Sequence, residues 1–506
     1  MDVTPAANAS SGSSSVPSSS KTVHDVIAKV DVAEFDWKAY EGTYRGRALI
    51  TRLNHIPTIL LSNSNSTPAH SLHLARTALQ RLLPLIKETW DTSLYLRVAT
   101  ALEDTRVGAK GGPVRRDEDE AMDGTSASRG ASARGEIDMD WVESARDAER
   151  KEGSRLDVEL RGYMSNLIKE SIRLTYLAFA QLSLKSGRAS DALKNYTSAR
   201  EYSTSPAHHV DLYVGILDTS LAFNNPGTLP GYVTKLEGVL DRAYPAPAAA
   251  GPRIGAEAAA AATANLTAAD VRENQEKEAR SAEMRRNVGV KIRVAKGLDA
   301  LARKEWERAG REMGEVGEEG GLAGWEGKAI STADIALITA LCTLATSKRD
   351  RIRRVLLERT SFRSAVDDSQ GWIIELVRAF MEAKYGEVSV ILNKAEPQLV
   401  LNPFLYQHTV DLISLIQTRA IVQYVAPFSS IKIDTMARAF DRNTDDMLRE
   451  VEYLVGEGRI EGRVDLIDGV LEMKQDNARG ELFKDAFRVA KSTTMGSKAA
   501  LIRMRL

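Results

Sequence analysis

Seven histidines (His24, His55, His70, His73, His208, His209 and His408) and one cysteine, Cys342, are the side chains of this 506-residue chain best suited to metal or nucleophilic chemistry. Their spacing does not assemble it. There is no His-Glu-x-x-His or His-x-His pattern. His70 and His73 have the spacing of one helical face, but no carboxylate stands beside them to complete a ligand set, so surface histidines are expected. Cys342 falls in the apolar run Ala336-Leu-Ile-Thr-Ala-Leu-Cys-Thr-Leu-Ala345, where a buried small hydrophobe is expected rather than a reactive thiol. One cysteine can form neither an intrachain disulfide nor a cysteine metal cluster, and such usage fits a reducing compartment. The nearest approach to a phosphate loop is Gly321-Leu-Ala-Gly-Trp-Glu-Gly327-Lys328-Ala329. A P-loop needs four residues between its glycines and a hydroxyl after the lysine. Here the gap is longer and Ala329 replaces the hydroxyl, so the Gly-rich stretch from Gly310 to Gly327 reads as a flexible inter-helix loop. No Gly-x-Ser-x-Gly elbow is present either. The residues predict no catalytic site, no cofactor and no metal.

The elements that would have to position such groups are ordinary globular material, 43% hydrophobic and 27% charged, with only 6% aromatic residues. Long Ala/Leu/Arg/Glu-rich stretches predict a mainly α protein. The formal net charge is -1, without the basic excess that a nucleic-acid binder exchanges for counterions. No apolar stretch reaches the roughly 18 residues of a membrane span. Residues 1–20 lack a basic start and an apolar core, so a disordered tail is expected there rather than a signal peptide. A nuclear and cytoplasmic location follows as the expectation.

Two further segments, 104–136 and 245–263, have too few large apolar residues to offset the entropy of ordering. Between them lie amphipathic helices, in an N-terminal helical region (21–103) and a longer stretch (137–330) interrupted by the 245–263 insertion. Ile168, Ile172, Phe179 and Leu182 keep three-or-four spacing. Ala192-x3-Tyr196-x2-Ala199 recurs as Ala302-x3-Trp306-x2-Ala309 and, more loosely, as Val388-x3-Leu392-x2-Ala395. A small residue followed by a large one lets helices nest, as in tetratricopeptide (TPR) hairpins. An irregular TPR-like helical-repeat solenoid is expected, with an irregular helical domain as the alternative.

Helical signals continue through Asp334–Thr346, Gln370–Ala383 and Tyr406–Tyr424, and Pro427 ends them. Ser430–Ile433 reads as a strand. Asp434 is an expected N-cap for a helix over Thr435–Phe440. Asn443 or Thr444 caps a second helix with Met447, Val451, Leu454 and Val455 on one face. Arg459–Val464 and Gly469–Lys474 alternate apolar and polar residues around the turn Asp468-Gly469. Strand, helix, helix, hairpin is a winged helix. Its second helix does not suit DNA: Asp441–Glu457 holds two cations and six anions, which phosphates would repel. A terminal helix over Glu481–Ala490 places Leu482, Ala486, Phe487 and Ala490 on one stripe beside Phe483. It must dock either on its own winged helix or on a partner.

Thr418-Arg-Ala-Ile-Val-Gln-Tyr-Val-Ala-Pro-Phe-Ser429, Met436-Ala-Arg-Ala-Phe-Asp441 and Glu457-Gly-Arg-Ile-Glu-Gly-Arg-Val-Asp465 resemble the PCI-domain family of the proteasome lid, the signalosome and initiation factor three. With Ile168–Arg173, Asp191–Tyr202, Ala340–Thr346 and Phe35–Tyr44, they resemble in particular the subunit-1 family of the COP (constitutive photomorphogenesis) signalosome. The resemblance spans most of residues 30–480, and the insertions depart from it. It implies a PCI domain over 331–475 (helical part 331–426, winged helix 427–475), followed by a tail helix in 476–506. It implies a non-catalytic scaffold in a complex that removes Nedd8 from cullins through a metalloprotease in another subunit. Partners are then other PCI-domain and metalloprotease-type subunits, with cullin-RING ligases as substrate of the complex and neither nucleic acid nor membrane. A proteasome-lid subunit is the alternative. PCI winged helices line up edge to edge, and a strand edge is a template for pairing. The expected partner interface is therefore Arg459, Ile460, Arg463, Val464 and Leu471 near the hairpin, with Leu482, Phe483 and Phe487 on the tail helix.

Overall fold

A computed structural model describes residues 35–62, 69–108, 137–245, 268–318, 321–367, 370–474 and 478–505. The tail 1–20 lies outside the described residues, as do 109–136 and 246–263 of the two low-complexity segments. The protein is mainly helical, as the sequence predicts, with one small sheet near its C-terminus. No helix among the described residues is long and apolar enough to cross a membrane. The chain divides into two units, one formed by 19–381 with 391–416 and the other by 382–390 with 417–506, besides residues 1–18.

The larger unit begins with α1 (Trp37–Thr43), α2 (Gly46–Leu60), α3 (Ala69–Lys87) and α4 (Thr92–Gly108). Asp36 caps α1 by accepting from the Lys38 and Ala39 amides. Leu53, Leu82 and Ile86 of this group are fully buried, in a core that also takes in Tyr44, Tyr95 and Val142. The repeat region follows as α5 (Met139–Ser165), α6 (Lys169–Lys185), α7 (Ala189–Glu201), α8 (Pro206–Ala222), α9 (Leu229–Ala243), α10 (Ala268–Ala302), α11 (Trp306–Val316) and α12 (Thr332–Thr346). Helices consecutive in sequence pack on one another throughout this run, which is the hairpin stacking expected of a solenoid. Ala192, Ala199 and Tyr196 are buried in the predicted nesting pattern. The second copy of the pattern differs. Ala302 is exposed, because it is the last residue of α10 and a turn separates it from Trp306.

What repeats most regularly is the helix ending. The amides of Ile168, Arg188, Asn225 and Glu305 each donate to a carbonyl five residues earlier. The residue before each donor is in the left-handed region: Leu167, Gly187, Asn224 and Lys304. This is the Schellman geometry, which satisfies carbonyls that the helix end would leave bare. At Gly187 an added Cβ would lie 1.9 Å from Asp91 Oδ2, so only glycine lets the α6–α7 turn approach the start of α4. The Trp90 amide donates to the Lys185 carbonyl at 3.0 Å there, and Asp91 pairs with Arg47 at 2.7 Å.

The Gly310–Gly327 stretch is not the flexible loop that its composition suggests. Gly310 and Gly314 lie within α11, and Leu322, Trp325, Ala329 and Ile330 are buried. Gly327, at φ +74°, receives the N-terminal arm: its carbonyl accepts from the Arg45 amide at 2.8 Å, and a Cβ would stand 2.3 Å from the Thr43 carbonyl oxygen.

The smaller unit is built around the winged helix: β1 (Ser430–Lys432), α18 (Ile433–Ala439), α19 (Thr444–Gly456), β2 (Gly462–Asp465), β3 (Val470–Met473) and a terminal helix, α20 (Ala478–Arg505). Between α12 and the winged helix run α13 (Arg349–Ile352), α14 (Thr360–Ala365) and α15 (Trp372–Met381) of the larger unit, then α16 (Tyr385–Val400) and α17 (Thr409–Val425), each with residues in both units. The sheet is antiparallel in the order β1-β3-β2. Ile431, Met436, Phe440, Met447, Val451, Leu454, Ile460 and Leu471 form its core. Tyr385 stacks on Phe440 at 5.6 Å between ring centroids. Lys432 rather than Asp434 occupies the N-cap of α18, and Asp434 falls in its first turn.

Candidate functional site

No group of three or more metal-ligating side chains occurs among the described residues. Cys342 is fully buried, and that burial pushes its thiol up to about 12, so it carries no thiolate near neutrality. The expectation of surface histidines fails at two positions. His55 stacks edge-on against Tyr406 at 4.8 Å and His408 against Trp306 at 5.3 Å. Burial lowers the pKa of both, that of His55 to about 4. These are packed neutral rings rather than ligands.

The buried polar chemistry of the larger unit converges on Asp334. Its Oδ2 accepts from Arg52 at 2.5 Å and from the Tyr44 hydroxyl at 2.7 Å, and its Oδ1 accepts from Asn402 Nδ2 at 2.8 Å. It also closes a capping box with Ser331 at the start of α12. The Arg52 guanidinium lies 3.9 Å from the Tyr44 ring centroid. Burial, the largest single influence, works against the charge on Arg52, and Asp334 together with Tyr44 and Tyr40 outweighs it, leaving the pKa above its ordinary value. The hub ties the N-terminal arm, α2, α12 and the residues after α16 together. Arg52 and Asp334 are 3% and 4% exposed, so the hub is architectural and offers nothing to a ligand.

The exposed chemistry lies in the smaller unit, on the hairpin and α20. Strand β2 is at the sheet edge, paired only with β3 among the described residues. Arg463 is exposed on it and Val464 half-buried. Arg459 is exposed beside Glu457, at 3.0 Å. Two expected contact residues are not on the surface. Ile460 and Leu471 are buried in the core, because alternation identifies the apolar face of a strand but not which faces stay uncovered. For the same reason of placement Gly469–Lys474 presents no free edge: β3 is the central strand. On the acidic second helix, Asp445, Asp446 and Glu452 are exposed against one exposed cation, Arg449, and Arg442 just before it is engaged by Glu450. That face would repel a phosphate backbone.

The tail helix runs 28 residues, well beyond the predicted Glu481–Ala490. Leu482, Phe483 and Phe487 are 73%, 74% and 67% exposed, and Val489, Met495, Leu501, Ile502 and Met504 are exposed too. The helix therefore does not bury its stripe on its own winged helix. The sequence reading missed a second apolar feature, Leu466 and Ile467 at the hairpin tip, of which Ile467 is 95% exposed. Asp465 Oδ1 accepts from the Ile467 amide at 2.9 Å, an Asx turn that holds the tip outward. The signal was two large apolar residues between Asp465 and Asp468-Gly469, where a turn is normally polar.

Residues 138–355 match the family described as 26S proteasome subunit RPN7, and residues 388–475 match the PCI domain. The chain is 24% identical over 498 residues to COP9 signalosome complex subunit 1b of Drosophila melanogaster, covering 94% of this chain and 85% of the relative. It is 25% identical over 472 residues to COP9 signalosome complex subunit 1 of Arabidopsis thaliana, covering 93% and 89%. Similarity to 26S proteasome non-ATPase regulatory subunit 6 of Dictyostelium discoideum, at 21% over 136 residues, covers only 27% of this chain and 35% of that one. The resemblance to signalosome subunit 1 thus extends over nearly the whole chain.

Proposed function

We propose that this chain is a scaffold subunit of a signalosome, holding other subunits through its PCI unit and tail helix. One observation carries the reading. A 28-residue helix with five large apolar side chains exposed between residues 482 and 495 follows a winged helix whose own core is already complete. A soluble chain rarely leaves such a surface bare, and a helical stripe of this kind is covered by other helices. Near full-length similarity to proteins named as signalosome subunit 1 selects the complex.

In this reading the chain contributes no catalysis. Removal of Nedd8 from cullins is the work of a separate metalloprotease subunit, and the N-terminal helical region helps to engage the cullin-RING ligase. The complex works in nucleus and cytoplasm. The RPN7 match favours a second reading, a proteasome-lid subunit. Its weaker support is the short stretch over which the lid relative aligns.

The test is purification of the tagged chain from its native cells at moderate salt, with mass spectrometry of what accompanies it. Co-purification of other PCI and metalloprotease-type subunits with cullins is expected. Proteasome ATPases and core particle in their place would move the chain to the lid, and recovery of the chain alone would overturn the scaffold reading.

A further inference from the structure

In a chain with a formal net charge of -1, residues 348–363 hold seven cations against two anions. The segment runs from α13 through a π turn (Arg353–Glu358) into α14. Where it faces α11 there is a cavity of about 260 Å³ lined by Arg311, Arg351, Arg354 and Arg359. Gly310 and Gly314, packed closely against Cys342, Thr343 and Thr339 of α12, line the same wall. The only carboxylate lining it, Glu315, is already engaged by Arg293. Arg311 and Arg354 have no carboxylate within ion-pair distance among the described residues. Arg351 pairs with the exposed Glu307 at 3.4 Å, and Arg359 with the exposed Glu318 at 3.1 Å besides donating to the Gly314 carbonyl at 3.2 Å; water screens these ion pairs and a ligand can replace them. Four arginines line one hollow with no uncommitted carboxylate among its lining residues, and a phosphate, which guanidinium groups grip bidentately, would supply the missing negative charge.

A second cavity, of about 230 Å³, adjoins the first and shares Gly314, Val355 and Arg359 with it. Its lining includes Leu322, Ile335, Ala336 and Phe362. Thr339 also lines it, 1% exposed, and its Oγ1 has no hydrogen-bond partner.

We infer that these paired cavities bind a phosphorylated peptide segment of a partner protein, the phosphate among the arginines and a neighbouring apolar side chain in the second cavity. The inference does not rest on membership of any complex. The π turn fits it, since widened turns of this kind recur at functional sites.

The test is fluorescence anisotropy of the full-length chain with a labelled peptide carrying phosphoserine two residues from a leucine. The phosphorylated peptide should bind at least about tenfold tighter than the same peptide without phosphate. Arg311→Glu with Arg354→Glu should abolish that advantage, while Arg353→Glu, outside the cavity, should leave affinity within about twofold. Replacing the peptide leucine by glycine, or filling the second cavity with Thr339→Leu, should weaken binding several-fold, with circular dichroism confirming that the variants fold. Equal losses from Arg353→Glu and the cavity pair would mean non-specific charge and overturn the site. Inorganic tripolyphosphate binding as tightly as the peptide, with the leucine irrelevant, would overturn the peptide in favour of a free polyphosphate.

Discussion

Arg52 donates to Asp334 at 2.5 Å with both side chains almost wholly removed from water. The pair links α2 to the start of α12, and Tyr44, Asn402 and the Ser331 amide are the carboxylate's other partners. Removing one charge leaves the other buried and unpaired, so Arg52→Ala should cost about 3–5 kcal/mol of unfolding free energy. Arg52→Met with Asp334→Asn removes both charges and keeps an oxygen for the Tyr44 hydroxyl. It should lose much less than the sum of the single changes. Urea unfolding of the two singles and the double measures the coupling, and strictly additive losses would show that the pair is not energetically linked.

The N-terminal arm depends on a second close fit, at Gly327. Alanine there meets the Thr43 carbonyl at 2.3 Å and must hold φ at +74°. Gly327→Ala should destabilise by more than about 1 kcal/mol. It should also raise hydrogen exchange at the Arg45 amide, whose acceptor is the Gly327 carbonyl. Gly324→Ala, with no heavy atom within 4 Å of its Cβ, is the control. Unchanged exchange at Arg45 in the Gly327 variant would show that the arm is held elsewhere.

These two features were invisible in the sequence for a physical reason. Arg52 and Asp334 lie 282 positions apart, and no local pattern announces a pair made by tertiary packing. The solenoid turns were partly hidden as well. Schellman endings are read from glycine, yet Leu167, Asn224 and Lys304 adopt the left-handed conformation that Gly187 adopts. The winged helix was legible because its signals are local: alternation in two short strands, the Asp468-Gly469 turn, and Met447, Val451 and Leu454 on one helical face. In the candidate interface, Leu482, Phe483 and Phe487 were legible as a stripe. Ile460 and Leu471 were misplaced because their own sheet and helices cover them.

His55 gives the stability a pH dependence of definite sign. Burial holds its pKa near 4, below the value of about 6.5 in an unfolded chain. Between these values the unfolded state binds a proton that the folded state refuses, so stability falls as pH drops from about 6.5 towards 4. His408, lowered chiefly by burial, acts in the same direction. The urea midpoint of the wild-type chain should decline across this window. His55→Leu should flatten part of the slope, and an unaltered slope in that variant would exclude His55 as a source.

The tail helix separates folding from assembly. Leu482 and Phe487 are exposed in the isolated chain, so Leu482→Asp with Phe487→Asp should change the chain's own stability by less than about 0.5 kcal/mol. In a complex that covers the stripe, each buried Leu or Phe is worth roughly 1.5–3 kcal/mol. Losing two should weaken incorporation by a factor of at least about one hundred. The informative pair of measurements is the thermal midpoint of the purified chain and the fraction of tagged chain recovered with partners. An unchanged midpoint with lost recovery fits a helix that exists to be buried by another protein. Wild-type recovery would sink that role for the tail. A large drop in the midpoint would mean that the stripe supports the chain's own fold instead.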